Sequence, residues 1–478
     1  MIVRFSPPHN KVSVSMTNIR VDKHYDLIII GAGSGNSIPG PEFDDKSIAI
    51  IEKGKFGGTC LNVGCIPTKM FVYTSEVAET IRTSGKYNIS AQLTDVAWPE
   101  IVKRVFSDRI DPIAAGGEAY RRGPETPNID VYDHHAVFVG PKILSTGQGA
   151  EKRIISGDII VIATGSRPAI PEVITKSGIT YYTNENIMRL PKLPKSMIVM
   201  GGSFIALEMS HMFKALGVDV TLVNRSNRLL KRFDTDISDR ITRATSEAMT
   251  THLGVTFTDL TEDESGITAT LSNGSTIHGE VMLIATGRIP NGDLMDLDKA
   301  GIDMVGDRIK VNKYGETTAP GVWALGDVSS PYQLKHVANA EMRTIRHNIL
   351  HPDELRELPH ENVPAAVFTH PQIGVVGLTE KEARDQGINV TVKVQKYGDV
   401  AYGWAMNDTE NFAKLIADKD TGKLVGAHII GPQAATLVQQ LVTIMSFGLD
   451  VRAAARDQYW IHPALPELIE NALLGLEF

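Results

Sequence analysis

The sequence predicts an α/β protein: three alternating strand-helix blocks, the first two of which each open on a strand that runs into glycine. Three observations carry that prediction. A β-rich apolar run from Leu27 to Ile30 stops at Gly31 and Gly33 in "YDLIIIGAGSGN". A second run, in "SMIVMGGSFIALEM", stops at Gly201, with the small residues Ser203 and Ala206 behind it. No low-complexity linker or short-period repeat interrupts the 478 residues, a length that suggests three domains at ~150 residues each. With 42% hydrophobic and 22% charged residues the composition is that of an ordinary globular protein. No stretch approaches the ~18 apolar residues of a membrane helix. The opening "MIVRFSPPHNKVSVSMTNIRVDKH" lacks the apolar block of a signal peptide, so residues 1–23 read as a loose leader and the protein is expected in the cytoplasm. A net charge of -8 without a basic cluster argues against nucleic acid or an anionic membrane surface as partner.

In the first unit, Gly31 and Gly33 let the chain turn tightly and bring backbone N–H groups up to a pyrophosphate at a helix N-terminus. The next strand, "SIAIIEKG", delivers Glu52 about twenty residues on, where an acid holds the ribose hydroxyls of an adenosine. Together they mark a Rossmann-like dinucleotide site. Two features depart from the pattern: Asn36 fills the third glycine position, and Pro39 and Pro41 cut short the helix that should follow.

The stretch "GGTCLNVGCIPTK", residues 57–69, holds the chain's only two cysteines, Cys60 and Cys65. In a reducing cytosol two cysteines are too few for a disulfide framework, and a close pair points to redox or catalytic work. Five residues of regular helix rise ~7.5 Å, beyond the ~4.4–6.8 Å Cα separation of a disulfide. The segment is therefore expected to bend. Gly64 supplies freedom, and Pro67 biases Ile66 away from the helical region while suiting the first turn of a following helix. That helix, "PTKMFVYTSEVAETIR", is expected to carry Met70, Phe71, Val77, Ala78 and Ile81 on one apolar stripe. Its dipole lowers a thiolate's pKa, and Lys69 adds positive charge.

The second unit repeats strand, glycine, helix and strand, so the chain is expected to bind two nucleotides. Its second strand ends in Asn224 rather than an acid, with Arg225, Arg228 and Lys231 in the loop beyond. Without a carboxylate for a ribose 2′-OH, and with cations at hand, this site favours a 2′-phosphate, hence NADP over NAD. Ser203 is expected to place its side chain where the backbone should approach the pyrophosphate.

These residues resemble the flavoprotein disulfide reductases, the family of glutathione reductase and dihydrolipoamide dehydrogenase. The likeness runs from about Tyr25 to the C-terminus. It recurs in "VIATGSRP" and "LIATGRIPN" at the crossovers flanking the second nucleotide unit, in "GVWALGDVSS" and in "IHPALPE". It implies an FAD-binding domain (residues 24–166 and 288–360) interrupted by an NADPH-binding domain (167–287), and a C-terminal α+β dimerisation domain (361–478) that pairs two chains. FAD would rest its pyrophosphate on Gly31 and Gly33, its adenosine ribose on Glu52 and its ribitol on Asp327. Thr59, Ala136, Thr164 and Gly165 would complete that site, and the helix start at Lys335 and His336 would face the flavin ring. Cys65 would lie against the flavin and Cys60 would attack the substrate disulfide, while Lys69 would pair with Glu208. NADPH would take Gly201, Ser203, Phe204, Ile205 and Gly287 besides Arg225, Arg228 and Lys231. His462 with Glu467 would reach in from the partner chain as the acid-base pair that protonates the departing thiolate. No metal is expected.

Within the family, the ending "LLGLEF" lacks the further cysteines of large thioredoxin reductases and mercuric reductases. Asn224 argues against the NAD-using dihydrolipoamide dehydrogenases. "NSIPGPEFDDKS" lacks the arginine with which glutathione reductases hold a substrate carboxylate. "GGTCLNVGCIPTKMFVYTSEVA", "RIDPIA", "YGDVAYGWAM" and "QYWIHPALPE" are most similar to the branch that uses NADPH to reduce the disulfide of a cysteinyl-sugar thiol in actinobacteria. Dihydrolipoamide dehydrogenase or glutathione reductase activity remains the alternative inside the family, and a non-catalytic FAD-binding scaffold the alternative outside it.

Overall fold

A computed structural model describes residues 19–478; residues 1–18 of the expected leader lie outside the described residues. The first sheet is built on β1 (Lys23–Ile30) and β2 (Ile48–Ile51). In β1 Ile28 and Ile30 enter one buried cluster and Leu27 and Ile29 another, so the strand is apolar on both faces, as a parallel strand covered on two sides requires. Next come two helices, α1 (Gly58–Asn62) and α2 (Cys65–Thr83), then α3 (Asp111–Arg122) and the strands β3 (Ile129–Tyr132), β4 (Ala136–Gly140), β5 (Ile143–Thr146) and β6 (Arg153–Ile162). The order is β3-β2-β1-β6-β5-β4, parallel from β3 to β6 and antiparallel beyond. Gly31 thus leaves β1 at the point where the chain runs to β2 on one side and β6 on the other, the crevice where open α/β sheets bind ligands.

The second unit comprises β7 (Ser196–Met200), α4 (Phe204–Ala215), β8 (Asp219–Asn224), α5 (Thr235–Ala248), β9 (Thr250–Leu253) and β10 (Val281–Ile284). Its sheet is parallel in the order β9-β8-β7-β10. The two "ATG" crossovers meet: Ser166–Pro168 pairs antiparallel with Arg288–Pro290. The chain then returns to the first sheet as β11 (Val322–Ala324), parallel to β6, and continues into α6 (Lys335–Leu350). The third unit holds β12 (Pro364–Val367), β13 (Ile373–Gly377), α7 (Glu380–Asp385), β14 (Val390–Lys396), β15 (Phe412–Asp418), β16 (Lys423–Ile430), α8 (Ala434–Ser446) and α9 (Pro466–Leu474). Its sheet is antiparallel, β12-β13-β16-β15-β14, with α8 on one face.

Local chemistry decides where helices begin. After the glycine fingerprint the prolines do suppress a helix; only 3₁₀ turns at Gly35–Ser37 and Pro41–Phe43 form. Arg121, buried in α3, supports the vacated segment by donating to Asn36 Oδ1 (2.9 Å), Asn36 O (2.7 Å) and Pro39 O (3.3 Å). The bend expected between the cysteines falls at Val63–Gly64, but α2 starts at Cys65, so Ile66 is helical. Pro67 occupies the third helical position, where an amide has no intrahelical acceptor to lose. The buried stripe of α2 is Thr68, Phe71, Val72, Ser75 and Ala78, and the expected Val77 is exposed. Packing drew the face through Phe71, whose ring meets Trp98 at 5.1 Å while Trp98 meets Phe213 of α4 at 5.6 Å. Each such pair contributes about 0.5–1.5 kcal/mol beyond area burial, and together they fix the cysteine-bearing helix against the second unit. No helix among the described residues is long and apolar enough to cross a membrane.

Candidate active site

One cavity of about 820 Å³ runs from the glycine fingerprint to the cysteine pair. Gly31 has φ +107°, and a Cβ there would meet Ala163 O at 2.3 Å; Gly201 repeats the arrangement in the second unit, with φ +140° and Ala285 O at 2.3 Å. Only glycine lets these strand ends pass their neighbours so closely. Beside Gly31, Glu52 lines the cavity and accepts N–H bonds from Ala32 and Gly54, both at 2.8 Å, which fix its carboxylate in place. Thr59, Ala136, Gly165, Asp327 and His336 also line the cavity. Thr164 lines it too, with a buried hydroxyl that lacks a partner among the described residues. At the inner end the N-terminus of α6 has no side-chain cap, leaving its N–H groups to a ligand. Lys335 Nζ donates to Ser34 Oγ at 2.8 Å. A close-approach glycine turn, an acid for a ribose, an unpartnered hydroxyl and an uncapped helix terminus fit a flavin dinucleotide.

Cys60 in α1 and Cys65 at the first position of α2 both line this cavity as free thiols in hydrogen-bond contact. They titrate as a pair. The bond from the Cys65 thiol brings the first proton loss, at Cys60, down to about 7, aided by the charge of Lys335. That same bond, with burial, pushes the Cys65 proton far above the usual thiol range. Thiolate is the reactive form and lies above the pKa. In FAD-loaded, reduced enzyme the rate of Cys60 alkylation by iodoacetamide is therefore expected to rise with pH through about 7, and Lys335→Met to move that midpoint upward. A wild-type midpoint near the ordinary thiol value of ~8.5 would contradict the pairing.

The expected Lys69–Glu208 pair is not formed. Glu208, buried in α4, accepts the Phe368 N–H at 2.9 Å, and burial raises its pKa to about 7. Lys69 instead lies 4.0 Å over the Phe368 ring and 3.8 Å from Glu76. The Phe368 main chain occupies the carboxylate and its ring takes the ammonium, so Lys69 reaches Glu208 only as a through-space charge.

Sequence reading missed Arg288. Its side chain is 7% exposed and it donates to Ser166 Oγ (2.7 Å), Ser166 O (2.6 Å) and Asn184 Oδ1 (3.2 Å). Ser166 in turn donates to Asp327, and Asn184 donates to Val63 O at the bend between the cysteines. This network ties the cysteine loop to Asp327. Its signal was present: Ser166 and Arg288 each follow the "ATG" of a crossover.

Other expected residues lie apart from the cavity. Phe204, Ile205 and Glu208 line it, whereas Gly201, Ser203, Gly287 and the cations beyond β8 do not. Ser203 donates to Ala285 O at 3.2 Å, so its hydroxyl is drawn to the end of β10 rather than standing free over the glycine turn. Asn224 packs on Gly202, where a Cβ would come within 2.6 Å of its Cγ, and donates to Ser226 O and Arg228 O. It shapes the loop besides lacking a charge. Arg228 pairs with Asp239 of α5 at 2.7 Å; Arg225 and Lys231 have no ion pair among the described residues. His462 Nδ1 meets Glu467 Oε1 at 2.6 Å, which holds Glu467 below the usual carboxylate range. The imidazole is 71% exposed and does not line the cavity of its own chain.

Comparison with known proteins places this geometry. Residues 25–343 match the pyridine nucleotide-disulphide oxidoreductases, and residues 363–473 match the dimerisation domain of the same proteins. A mycothione reductase of Mycobacterium tuberculosis (strain ATCC 25618 / H37Rv) is 51% identical over 463 residues, covering 95% of this chain and 99% of the relative. A glutathione reductase of Burkholderia cepacia is 29% identical, covering 93% and 97%. Among solved structures, the HOCl-induced flavoprotein disulfide reductase RclA from Escherichia coli superposes with a TM-score of 0.83 at 25% identity, covering 95% of this chain and 100% of that one. The chain therefore belongs to the pyridine nucleotide-disulphide oxidoreductase family, FAD- and NADPH-using enzymes of disulfide chemistry.

Proposed function

We propose that this chain reduces mycothione, the disulfide of mycothiol, in the cytoplasm: NADPH, one proton and the disulfide give NADP⁺ and two thiols. The observation that carries the reading is the contact of Cys60 with Cys65 at the wall of the cavity that runs to the glycine turn at Gly31. The 51% identity to a mycothione reductase supports the choice of substrate. A bound FAD would supply the two-electron chemistry that links NADPH to the cysteine pair. Gly31, Glu52, Thr164 and Asp327 would hold it, and Arg288 keeps Asp327 in register with the cysteine loop.

Substrate chemistry is thiol–disulfide exchange. Cys60, the thiol that ionises near neutral pH, attacks one sulfur of the substrate and forms a mixed disulfide, and the first thiolate leaves. His462 of the partner subunit supplies its proton, with Glu467 of the partner subunit fixing the tautomer. Once Cys60 is in the mixed disulfide it no longer carries charge or accepts a hydrogen bond. Of the influences that held the Cys65 proton only burial is then left, and Cys65 attacks Cys60, closing the internal disulfide and releasing the second thiol. The site is thus completed by a second copy of the chain, a reading favoured by the exposed His462 and by exposed Trp404, Phe447, Tyr459 and Ile461 in the matched dimerisation region.

Steady-state rates with mycothiol disulfide, glutathione disulfide and lipoamide test the substrate. A preference for either of the latter two overturns it. Coenzyme choice is tested separately by Arg225→Ala. A charge-assisted hydrogen bond is worth ~1.5–3 kcal/mol, so KM for NADPH is expected to rise about ten- to a hundredfold at ~1.4 kcal/mol per decade, with NADH nearly unchanged. A change within twofold at low ionic strength, where exposed phosphate contacts count most, would show that this loop does not read the 2′-phosphate. Asn224→Glu is a poorer probe, because it also removes both hydrogen bonds that shape the loop.

A further inference from the structure

A buried ion cluster between the coenzyme loop and the third unit serves no step above. Lys414, in β15, is 4% exposed, and its Nζ lies 2.9 Å from Asp234 Oδ1, 2.7 Å from Asp236 Oδ2 and 2.8 Å from Glu380 Oε2. Asp234, 2% exposed, joins the two units through main-chain N–H groups as well. Its Oδ1 accepts the Asp236 N–H at the start of α5, and its Oδ2 accepts the Glu380 N–H at the start of α7. Burying a lysine is unfavourable unless it is fully paired, and an apolar residue of similar volume packs as well or better. What a buried ion cluster can add is a defined position for the segments it joins.

The segment joined here is 225–234. Its outer part carries Arg225 and Lys231, and near its inner end Phe233 lines the central cavity together with Phe204 and Ile205. Between them Leu229 and Leu230 are buried against Val367, Ile373 and Ile430 of the third unit. Leu230 has φ +48° and donates its N–H to Gly202 O. A leucine keeps this left-handed conformation only where its surroundings impose it. Asp234 lies four residues further on, at the point where Lys414 grips the chain.

We infer that Lys414 is a positioning residue for coenzyme binding: through Asp234 it latches residues 225–234 to the sheet of the third unit, holding the loop cations in register with the glycine turn at Gly201. This rests on the reading of that loop as the 2′-phosphate site.

The test uses Lys414→Met and Asp234→Asn in FAD-loaded full-length enzyme. Asp234→Asn leaves Lys414 two carboxylates and is the deciding variant should Lys414→Met not fold. Arg225, Arg228, Lys231 and Arg232 are exposed trypsin sites, so loop position can be followed without coenzyme. Cleavage at these four sites, relative to cleavage elsewhere, is expected to speed up at least tenfold. KM for NADPH should rise at least fivefold, while KM for NADH and both kcat values stay within twofold. A merely structural role would move both coenzymes together, and that result overturns the inference. Wild-type cleavage in a folded variant overturns it equally. Faster cleavage with an unmoved NADPH KM rejects the role in coenzyme binding; if Arg225→Ala is silent as well, the failure belongs to the reading of the loop.

Discussion

Replacing Cys60 with serine is expected to cut NADPH-dependent disulfide reduction by on the order of 10⁴-fold or more, the scale seen when a nucleophile is removed from an enzyme whose groups act as a unit. Cys65→Ser should be as damaging to turnover and yet leave a different enzyme. With Cys65 gone, Cys60 still attacks the substrate, so a stable mixed disulfide of one substrate half per chain should accumulate and be readable by mass. With Cys60 gone, Cys65 loses the neighbour whose charge and hydrogen bond pushed its proton up. Its thiolate should then form nearer neutral pH, helped by Lys335 and the start of α2. In FAD-loaded protein that thiolate is expected to give a long-wavelength charge-transfer absorbance in Cys60→Ser which is absent from Cys65→Ser. The reverse pattern would exchange the roles of the two cysteines. FAD content should be normal in both variants, since neither side chain is needed to hold the cofactor.

His462→Ala should lower turnover by about 10²–10⁴-fold, the usual range for loss of a positioned acid-base group. Glu467→Gln should cost less, because it removes only the partner that orients the ring at 2.6 Å. The decisive measurement mixes chains. A His462→Ala chain and a Cys60→Ser chain, each inactive alone, are exchanged into heterodimers. One of the two sites in each heterodimer then receives an intact histidine from one chain and intact cysteines from the other, and activity should return toward half of wild type. Heterodimers that form and stay inactive would mean that the histidine serves its own chain.

Parts of the site that depend on contiguous residues were legible in the sequence. The strand-glycine turns at Gly31 and Gly201 follow from the close approach of backbone to backbone, which only glycine permits. The bend between Cys60 and Cys65 follows from helical rise, and the spacing of His462 and Glu467 suffices for their bond across one turn. What the sequence could not rank were competing partners for one group. Lys69 was within reach of Glu208 by family likeness, yet Phe368, 160 residues from Glu208, supplies an N–H to the carboxylate and a ring to the ammonium. Pro67 disfavours a helical Ile66, yet α2 begins at Cys65, and the packing of Phe71 on Trp98 marks the face it buries.

By itself, then, the sequence determined that this chain has two dinucleotide turns, one redox-capable cysteine pair and one histidine–carboxylate pair, because each is a matter of local spacing and backbone sterics. Only the tertiary structure decided how they are joined. Arg288 meets Ser166 across 122 residues, Lys414 meets Asp234 across 180, and Arg121 takes up the segment that the missing helix vacates. The physical reason is burial. A charged group removed from water must find its partner wherever the folded chain brings one, and that choice is made by the packing of strands and helices far apart in sequence.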